Sequence, residues 1–206
     1  MNNIRPKTTA VDIALLPPDE IFELSKKYNS LINNQNPGGL VLDDTHLPHI
    51  TLVQQYIDTD KQTRLFSEIT SAYAKFKPIN LKISGIDSLR LSDGKEASYF
   101  IFEDVTKIQE LHEALMEISA PCVSTGDESS FFTDPGEQIR ASSLDWTTNF
   151  RDKASGPNFE AHITLGIGHK PKLEDKLEFC IYRLAVCQLG NYNTCRKILK
   201  EWRLTK

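Results

Sequence analysis

The stretch His49-Ile50-Thr51-Leu52 recurs as His162-Ile163-Thr164-Leu165, so that one copy lies near the middle of each half of this chain of 206 residues. Side chains alternate between the two faces of a β-strand, which places the His and the Thr of each copy on one face and the Ile and the Leu on the other. We therefore expect two strands that bury their aliphatic side chains in a core. Each strand then presents one imidazole and one hydroxyl group to a shared cavity.

The composition is that of a soluble globular protein, because 39% of the residues are hydrophobic and 25% are charged. The formal net charge of −4 argues against a long nucleic-acid groove or an anionic membrane surface as the main partner. A small phosphate-bearing ligand remains compatible with this charge, because a local site can be positive on an acidic protein. We expect one two-lobed domain over residues 1–206 and a monomer.

The sequence has no run of ~18 apolar residues, the length that a membrane span requires. Residues 1–9 are polar and lack the apolar segment of a secretory signal peptide. We therefore expect a cytoplasmic protein. No two of its cysteines form a Cys-x-x-Cys pair, which predicts free thiols rather than a zinc site or a disulfide framework. The cysteines are Cys122, Cys180, Cys187 and Cys195.

The hydrophobic pattern predicts an α+β fold with antiparallel sheets, because several strands follow one another without an intervening helix. Asp60 is in position to be the N-cap of the second helix. The sequence contains neither G-x-G-x-x-G nor G-x-x-x-x-G-K-S/T, the glycine-rich loops that bind nucleotide phosphates. The predicted strands are 10–16, 48–57, 79–84, 97–102, the second His-Ile-Thr-Leu segment, 177–189 and 195–204.

Residues 121–157 differ in character from the rest of the chain, because Ser, Thr, Gly, Asp and Pro dominate there. A short helix is predicted within this insert at 143–150. A loop of this length is usually functional or disordered. Its aromatic residues Phe131, Phe132 and Trp146 either stack on a nucleobase or pin the insert onto the core, and we favour the second interpretation. Arg90, Lys95 and Arg140 either supply positive charge to a phosphate or are solvated surface residues.

The paired H-x-S/T-hydrophobic motifs resemble those of the two-histidine (2H) phosphoesterase superfamily, which includes the LigT-like RNA 2′,3′-cyclic phosphodiesterases, also called 2′-5′ RNA ligases. The early strand that ends in Leu-Leu-Pro-Pro before a helix and the closing hairpin at 180–204 are also similar. The insert at 121–157 is the least similar part. The resemblance implies a bilobal two-histidine phosphoesterase-like fold, with antiparallel sheets around a central cleft and pseudo-twofold symmetry.

The resemblance also implies metal-independent hydrolysis of a phosphodiester, often a cyclic one, and no cofactor. Ring opening by water needs a base for the attacking water and an acid for the departing sugar oxygen, and imidazole serves in both roles near neutral pH. We predict His49 and His162 as the acid–base pair, with His49 as acid and His162 as base by the resemblance alone. Thr51 and Thr164 are predicted to donate hydrogen bonds to phosphate oxygens. The expected partner is a small nucleotide with a cyclic phosphate or an RNA terminus.

Two other functions remain open. The first is a nucleotide- or RNA-binding module of the same fold without hydrolysis, although the intact His and Thr residues argue against it. The second is a metal-dependent hydrolase in which His46, His49, His162 and His169 supply ligands, an arrangement that we do not favour. His112 adjoins the apolar stripe of the third helix and is predicted to be structural.

Overall fold

The computed structural model describes residues 7–35, 39–91, 94–174 and 177–205. Within these ranges the chain forms two antiparallel β-sheets and α-helices, as the predicted α+β class requires. The helices are α1 (Asp19–Gln35), α2 (Gln62–Tyr73), α3 (Thr106–Ser119) and α4 (Ala141–Lys153). The strands are β1 (Thr8–Leu16), β2 (Ile50–Asp58), β3 (Ile79–Arg90), β4 (Glu96–Phe102), β5 (Val123–Ser124), β6 (Ile163–Ile167), β7 (Glu178–Ile181), β8 (Arg183–Leu189) and β9 (Cys195–Arg203).

Each sheet contains one of the two His-Ile-Thr-Leu segments. The five-stranded sheet has the order β5-β2-β1-β8-β9, and β2 follows His49 directly. The four-stranded sheet has the order β6-β4-β3-β7, and β6 follows His162 directly. The two sheets therefore carry equivalent strands, in keeping with the bilobal arrangement and pseudo-twofold symmetry that the family resemblance implies.

Strand β1 lies in the middle of the five-stranded sheet, between β2 and β8. Its residues from Thr9 to Leu16 are all buried, because both faces of the strand are covered. A strand buried on both faces has a nearly continuous apolar sequence, which is why residues 10–16 were recognisable. Asp12 is the charged exception in this run, and it is fully buried.

The helices bury the apolar stripes that their spacing predicts, with local differences. Ile21, Tyr28 and Ile32 of α1 are buried, whereas Leu31 of the same predicted stripe is 41% exposed. The prediction for Asp60 is wrong. It lies in a short 3-10 turn, Thr59–Lys61, and the residue before α2 is Lys61, which makes no side-chain capping bond. None of the described helices has the length and hydrophobicity needed to cross a membrane.

The single strand predicted at 177–189 is two strands in different sheets. Strand β7 pairs with β3 in the four-stranded sheet, whereas β8 pairs with β1 and β9 in the five-stranded sheet. Tyr182 separates them, and its carbonyl accepts a hydrogen bond from the amide of Leu204. An apolar run reports burial but not the identity of the neighbouring strand, so the crossover between sheets was invisible in the sequence.

The insert at 121–157 is ordered around α4, close to the predicted short helix. Arg151 of α4 donates to Gln55 Oε1 at 2.8 Å and to the carbonyl of Met116 at 2.7 Å, which ties the helix to β2 and α3. Phe131 is buried and packs edge-on against Tyr56, with ring centroids 6.0 Å apart. The prediction that aromatic residues pin the insert to the core is therefore confirmed for Phe131.

Candidate active site

Both predicted histidines have the same hydrogen-bond arrangement. His49 Nδ1 lies 2.7 Å from the carbonyl oxygen of Leu47, and His162 Nδ1 lies 2.8 Å from the carbonyl oxygen of Glu160. A carbonyl oxygen only accepts, so Nδ1 is the donor in both rings and carries the hydrogen. The free nitrogen of each imidazole is therefore Nε2, which is the atom available to accept or release a proton.

His49, Thr51, His162 and Thr164 all line one cavity, whose volume is about 760 Å³. Thr51 lies in β2 of the five-stranded sheet and Thr164 in β6 of the four-stranded sheet, and each histidine directly precedes its strand. This volume is within the range of ~300–1,000 Å³ that small-molecule sites occupy. The fold thus brings together the residues that the repeated segment singles out, although they are far apart in the sequence.

The electrostatic environment couples the two imidazoles. Burial lowers the pKa of His49 and of His162, because the charged form loses solvation. A positive charge on His49 lowers the pKa of His162 further. The two rings are therefore close enough that protonation of His49 disfavours protonation of His162.

Asp12 contacts two of these residues, and sequence reasoning missed it. Its Oδ2 atom accepts hydrogen bonds from Thr51 Oγ1 at 2.7 Å and from Gln54 Nε2 at 2.8 Å, and it lies 3.5 Å from His49 Nε2. Burial raises the pKa of Asp12 to about 7, although these hydrogen bonds oppose the rise. A charged residue in an otherwise apolar strand is costly unless it has partners, and that cost was the available signal.

His162 has an aromatic neighbour where His49 has a carboxyl group. The Tyr99 ring lies 4.8 Å from the His162 ring, at an interplanar angle of 49°. Tyr99 is opposite Thr164 in the pairing of β4 with β6, so the ladder that positions the threonine also positions the ring. The two halves of the cavity are therefore symmetric in their backbone and asymmetric in their charge.

Residues of the insert and of the β8–β9 turn also line the cavity. Ser143 of α4 accepts from the Tyr192 amide at 3.1 Å, and its carbonyl accepts from Asn193 Nδ2 at 3.2 Å. Tyr192 and Asn193 both have left-handed backbone conformations, with φ of 57° and 54°. The Arg140 guanidinium lies 4.9 Å from the centre of the Tyr192 ring. Arg140, Tyr192 and the partly exposed Trp146 all line the cavity.

The remaining candidates differ in where they lie. Arg90 lines the cavity, whereas Lys95 does not. His112 is buried, stacks on Phe159 at 3.9 Å and bonds the carbonyl of Leu52 through Nδ1, which confirms its structural role. His46 pairs with Asp43, and the His169 side chain is 79% exposed.

Among the described residues, the possible metal-ligand atoms that lie close together belong to Asp12, His49 and Cys195, within 4.8 Å of one another. The set does not include His46, His162 or His169. Asp12 Oδ2 is already held by two hydrogen-bond donors. Burial and the neighbouring Cys187 raise the pKa of the Cys195 thiol well above its usual range. The trio is therefore a neutral thiol beside a hydrogen-bonded carboxyl group rather than a preformed metal centre.

Comparison with known proteins finds solved structures of similar fold but no similar sequence. No protein-family model matches the sequence, and no curated protein matches it significantly. The structure of TT0787 from Thermus thermophilus is similar at a TM-score of 0.61 and 15% identity, over 95% of this chain and 98% of that one. A structure described as a phosphoesterase is similar at 0.60 and 14% identity, over 98% and 99%.

Escherichia coli LigT in its apo form is similar at a TM-score of 0.59 and 13% identity, over 97% of this chain and 99% of LigT. These identities are low, and the likeness is one of fold. It extends over nearly the whole of each chain. The protein therefore has the fold of the LigT-like two-histidine phosphoesterases.

Proposed function

We propose that the protein is a metal-independent phosphodiesterase that opens a cyclic phosphodiester in a small nucleotide or at an RNA terminus. One observation carries the proposal. His49 and His162 have the same Nδ1–H tautomer, and both line the cavity between the sheets. Two imidazoles that are coupled in charge and held on opposite sheets are what acid–base catalysis at one phosphorus atom requires.

In the proposed reaction, His162 Nε2 takes a proton from a water molecule, whose oxygen forms a new bond to phosphorus. The bond between phosphorus and one sugar oxygen breaks, and His49 Nε2 gives that oxygen a proton. The product is an open phosphomonoester with a free hydroxyl group. Each turnover leaves His162 protonated and His49 neutral, and proton exchange with solvent restores the starting state. No metal ion is needed to balance these steps.

The threonines are proposed to stabilise the charge that gathers on the non-bridging phosphate oxygens. Thr51 and Thr164 lie two residues after the histidines on rigid strands, so their hydroxyl groups are preorganised for this role. Thr164 is proposed to donate directly. Thr51 donates to Asp12 in the absence of ligand, and its hydroxyl group has to turn towards a bound phosphate.

A nucleotide is the proposed ligand. LigT has been crystallised with phosphate, with 3′-AMP, with NADP+ and with ATP. In this protein the cavity is lined by the aromatic side chains of Tyr99, Trp146 and Tyr192, in addition to the histidines. Aromatic faces bind nucleobases by stacking, without a strong sequence preference. The insert is accordingly proposed to select among nucleotides.

The decisive experiment is phosphorus NMR of 2′,3′-cyclic AMP incubated with the wild type and with His49→Ala and His162→Ala. Each substitution is expected to lower turnover by about 10²- to 10⁴-fold. His46→Ala is the matched control, because His46 lies outside the cavity lining and pairs with Asp43. Activity that survives both substitutions on every cyclic phosphate tested contradicts the proposal. Activity that EDTA abolishes supports the metal-dependent alternative instead.

The binding module without hydrolysis is the second candidate. It is favoured by the engagement of the Thr51 hydroxyl group with Asp12, which withdraws one phosphate donor from the cavity in the ligand-free state. Equilibrium dialysis with 3′-AMP and 2′,3′-cyclic AMP separates the two functions. A cyclic nucleotide that binds tightly and is recovered unchanged after long incubation identifies a binding module.

A further inference from the structure

The two halves of the site differ most in the group next to each Nε2 atom. His49 Nε2 lies 3.5 Å from Asp12 Oδ2. The uncharged ring of Tyr99 lies 4.8 Å from the His162 ring at a tilt of 49°, and the acidic side chain that acts on His162 is that of Glu160, which is exposed. A fully buried carboxyl group thus faces one imidazole and not the other. This one side chain therefore makes the surroundings of the two histidines different in an otherwise symmetric fold.

Hydrogen-bond accounting shows what this contact requires. Asp12 Oδ2 already accepts from Thr51 and Gln54, which uses both of its lone-pair directions. A neutral His49 with its hydrogen on Nδ1 presents a second acceptor, Nε2, to that oxygen. When Asp12 is ionised, these two acceptors lie 3.5 Å apart and repel each other in the buried site. A hydrogen on Nε2 makes His49 positive and turns the same contact into an attraction.

We propose that Asp12 is a positioning residue that keeps a proton on His49 in the ligand-free protein, so that His49 begins each turnover protonated and His162 begins it neutral. This role rests on the phosphodiesterase function proposed above, and it decides which histidine is the acid and which is the base. His49 then acts as the acid because of a named neighbour in this chain.

The other groups that face the pair do not compete for this role. Cys187 of β8 is opposite Asp12 in the sheet, and Cys195 of β9 lies within 4.8 Å of the pair. Burial raises the pKa of Cys195, so its thiol stays neutral. Gln54 is uncharged. His162 is a further titratable neighbour, and a positive charge there is disfavoured by a protonated His49.

The pair is expected to retain one proton up to about neutral pH. Burial raises the pKa of Asp12 to about 7, so below that pH a proton stays either on Asp12 or on His49. Above it, the pair loses the proton and His49 becomes neutral. Asp12 thus acts to raise the pKa of His49, whereas burial alone lowers it.

The test is an NMR titration of the histidine ring carbons, each assigned by substituting one histidine, in EDTA buffers without substrate. In the wild type, His49 is expected to titrate at least ~1 pH unit above His162, and Asp12→Asn is expected to remove this difference. Cys187→Ala is the matched control, since it changes the side chain opposite Asp12 without changing charge. The titration does not require an active enzyme, so it tests the role of Asp12 even if the proposed phosphodiesterase function is wrong.

Kinetics provide the second readout. The basic limb of the kcat/KM profile is expected to move to lower pH in Asp12→Asn by about one unit, a loss of about tenfold at pH ~8 with little loss at pH ~5.5. A merely structural role lowers activity equally at all pH values. If Asp12→Asn does not fold, the order of the wild-type titrations decides alone. His162 titrating above His49, or an unchanged His49 titration in Asp12→Asn, overturns the proposal.

Discussion

Thr51 donates its hydroxyl hydrogen to Asp12 Oδ2 over 2.7 Å, which joins a residue that the repeated segment reveals to one that it does not. The bond links β2 to β1 inside the five-stranded sheet. It also opposes the rise in the pKa of Asp12 caused by burial. Thr51 therefore has two roles to separate, as the proposed phosphate donor and as a partner of the buried carboxyl group.

Thr51→Val is expected to lower kcat/KM by about 10-fold or more, because it removes a donor of about 1–3 kcal/mol from a charged acceptor. It should also raise the pKa of Asp12, which loses a hydrogen bond to its charged form. Thr51→Ser keeps the hydroxyl group and is the control. The measurement is kcat/KM as a function of pH for all three proteins. Equal activity of the Val and Ser variants would mean that the hydroxyl group contributes nothing.

Helices and strands could be predicted from the sequence where the hydrophobic pattern has a clear period. Strand β3 alternates buried and less buried residues from Ile79 to Ile83, and α3 buries Ile108, Leu111 and Leu115 at helical spacing. The pattern failed at residues 177–189, where one apolar run changes sheets at Tyr182. Local sequence reports which face is buried, whereas the partner strand is decided by distant segments.

The meeting of the two histidines in one cavity was predictable because their segment is repeated, whereas the contact with Asp12 depends on the register of two strands. Asp12 pairs with Gln54 across β1 and β2, and no local pattern predicts that register. The insert shows the same limit. Phe131 and Trp146 belong to one polar segment, yet Phe131 is buried and Trp146 faces the cavity. Their difference arises from tertiary packing, which composition does not report.

The buried carboxyl group is expected to reduce stability at high pH. The pKa of Asp12 rises from 3.8 in the unfolded chain to about 7 in the folded protein, so the folded state binds the proton more tightly. The contribution of Asp12 to stability is full below about pH 4 and is lost as the pH rises through about 7. The loss is about 4 kcal/mol at most, and a proton on His49 offsets part of it.

Asp12→Asn is therefore expected to be more stable than the wild type at pH ~8, by about 1–4 kcal/mol, with a smaller difference at pH ~5. The substitution is thus expected to lower activity while it raises the free energy of unfolding, a combination that is common at functional sites. Urea denaturation of both proteins across this pH range measures the difference in the free energy of unfolding. A difference that does not change with pH would show that Asp12 has an ordinary pKa in the folded protein.

Trp146 is the side chain of the insert that we propose to stack on a nucleobase. It is 41% exposed, lines the cavity and is supported edge-on by Phe150, with ring centroids 6.2 Å apart. A partly exposed indole contributes little to the core, so its removal is expected to leave the free energy of unfolding nearly unchanged. Loss of stacking on a base costs about 1–3 kcal/mol.

Trp146→Ala is accordingly expected to raise KM for 2′,3′-cyclic AMP by about 10- to 100-fold with kcat nearly unchanged. Asp152→Ala is the control, because Asp152 is an exposed residue of the same helix that does not line the cavity. In Trp146→Ala, the KM for 2′,3′-cyclic AMP should rise and the affinity for 3′-AMP should fall together. Neither quantity should change in the control. A fall in kcat at constant KM would show instead that the insert positions the phosphate rather than the base.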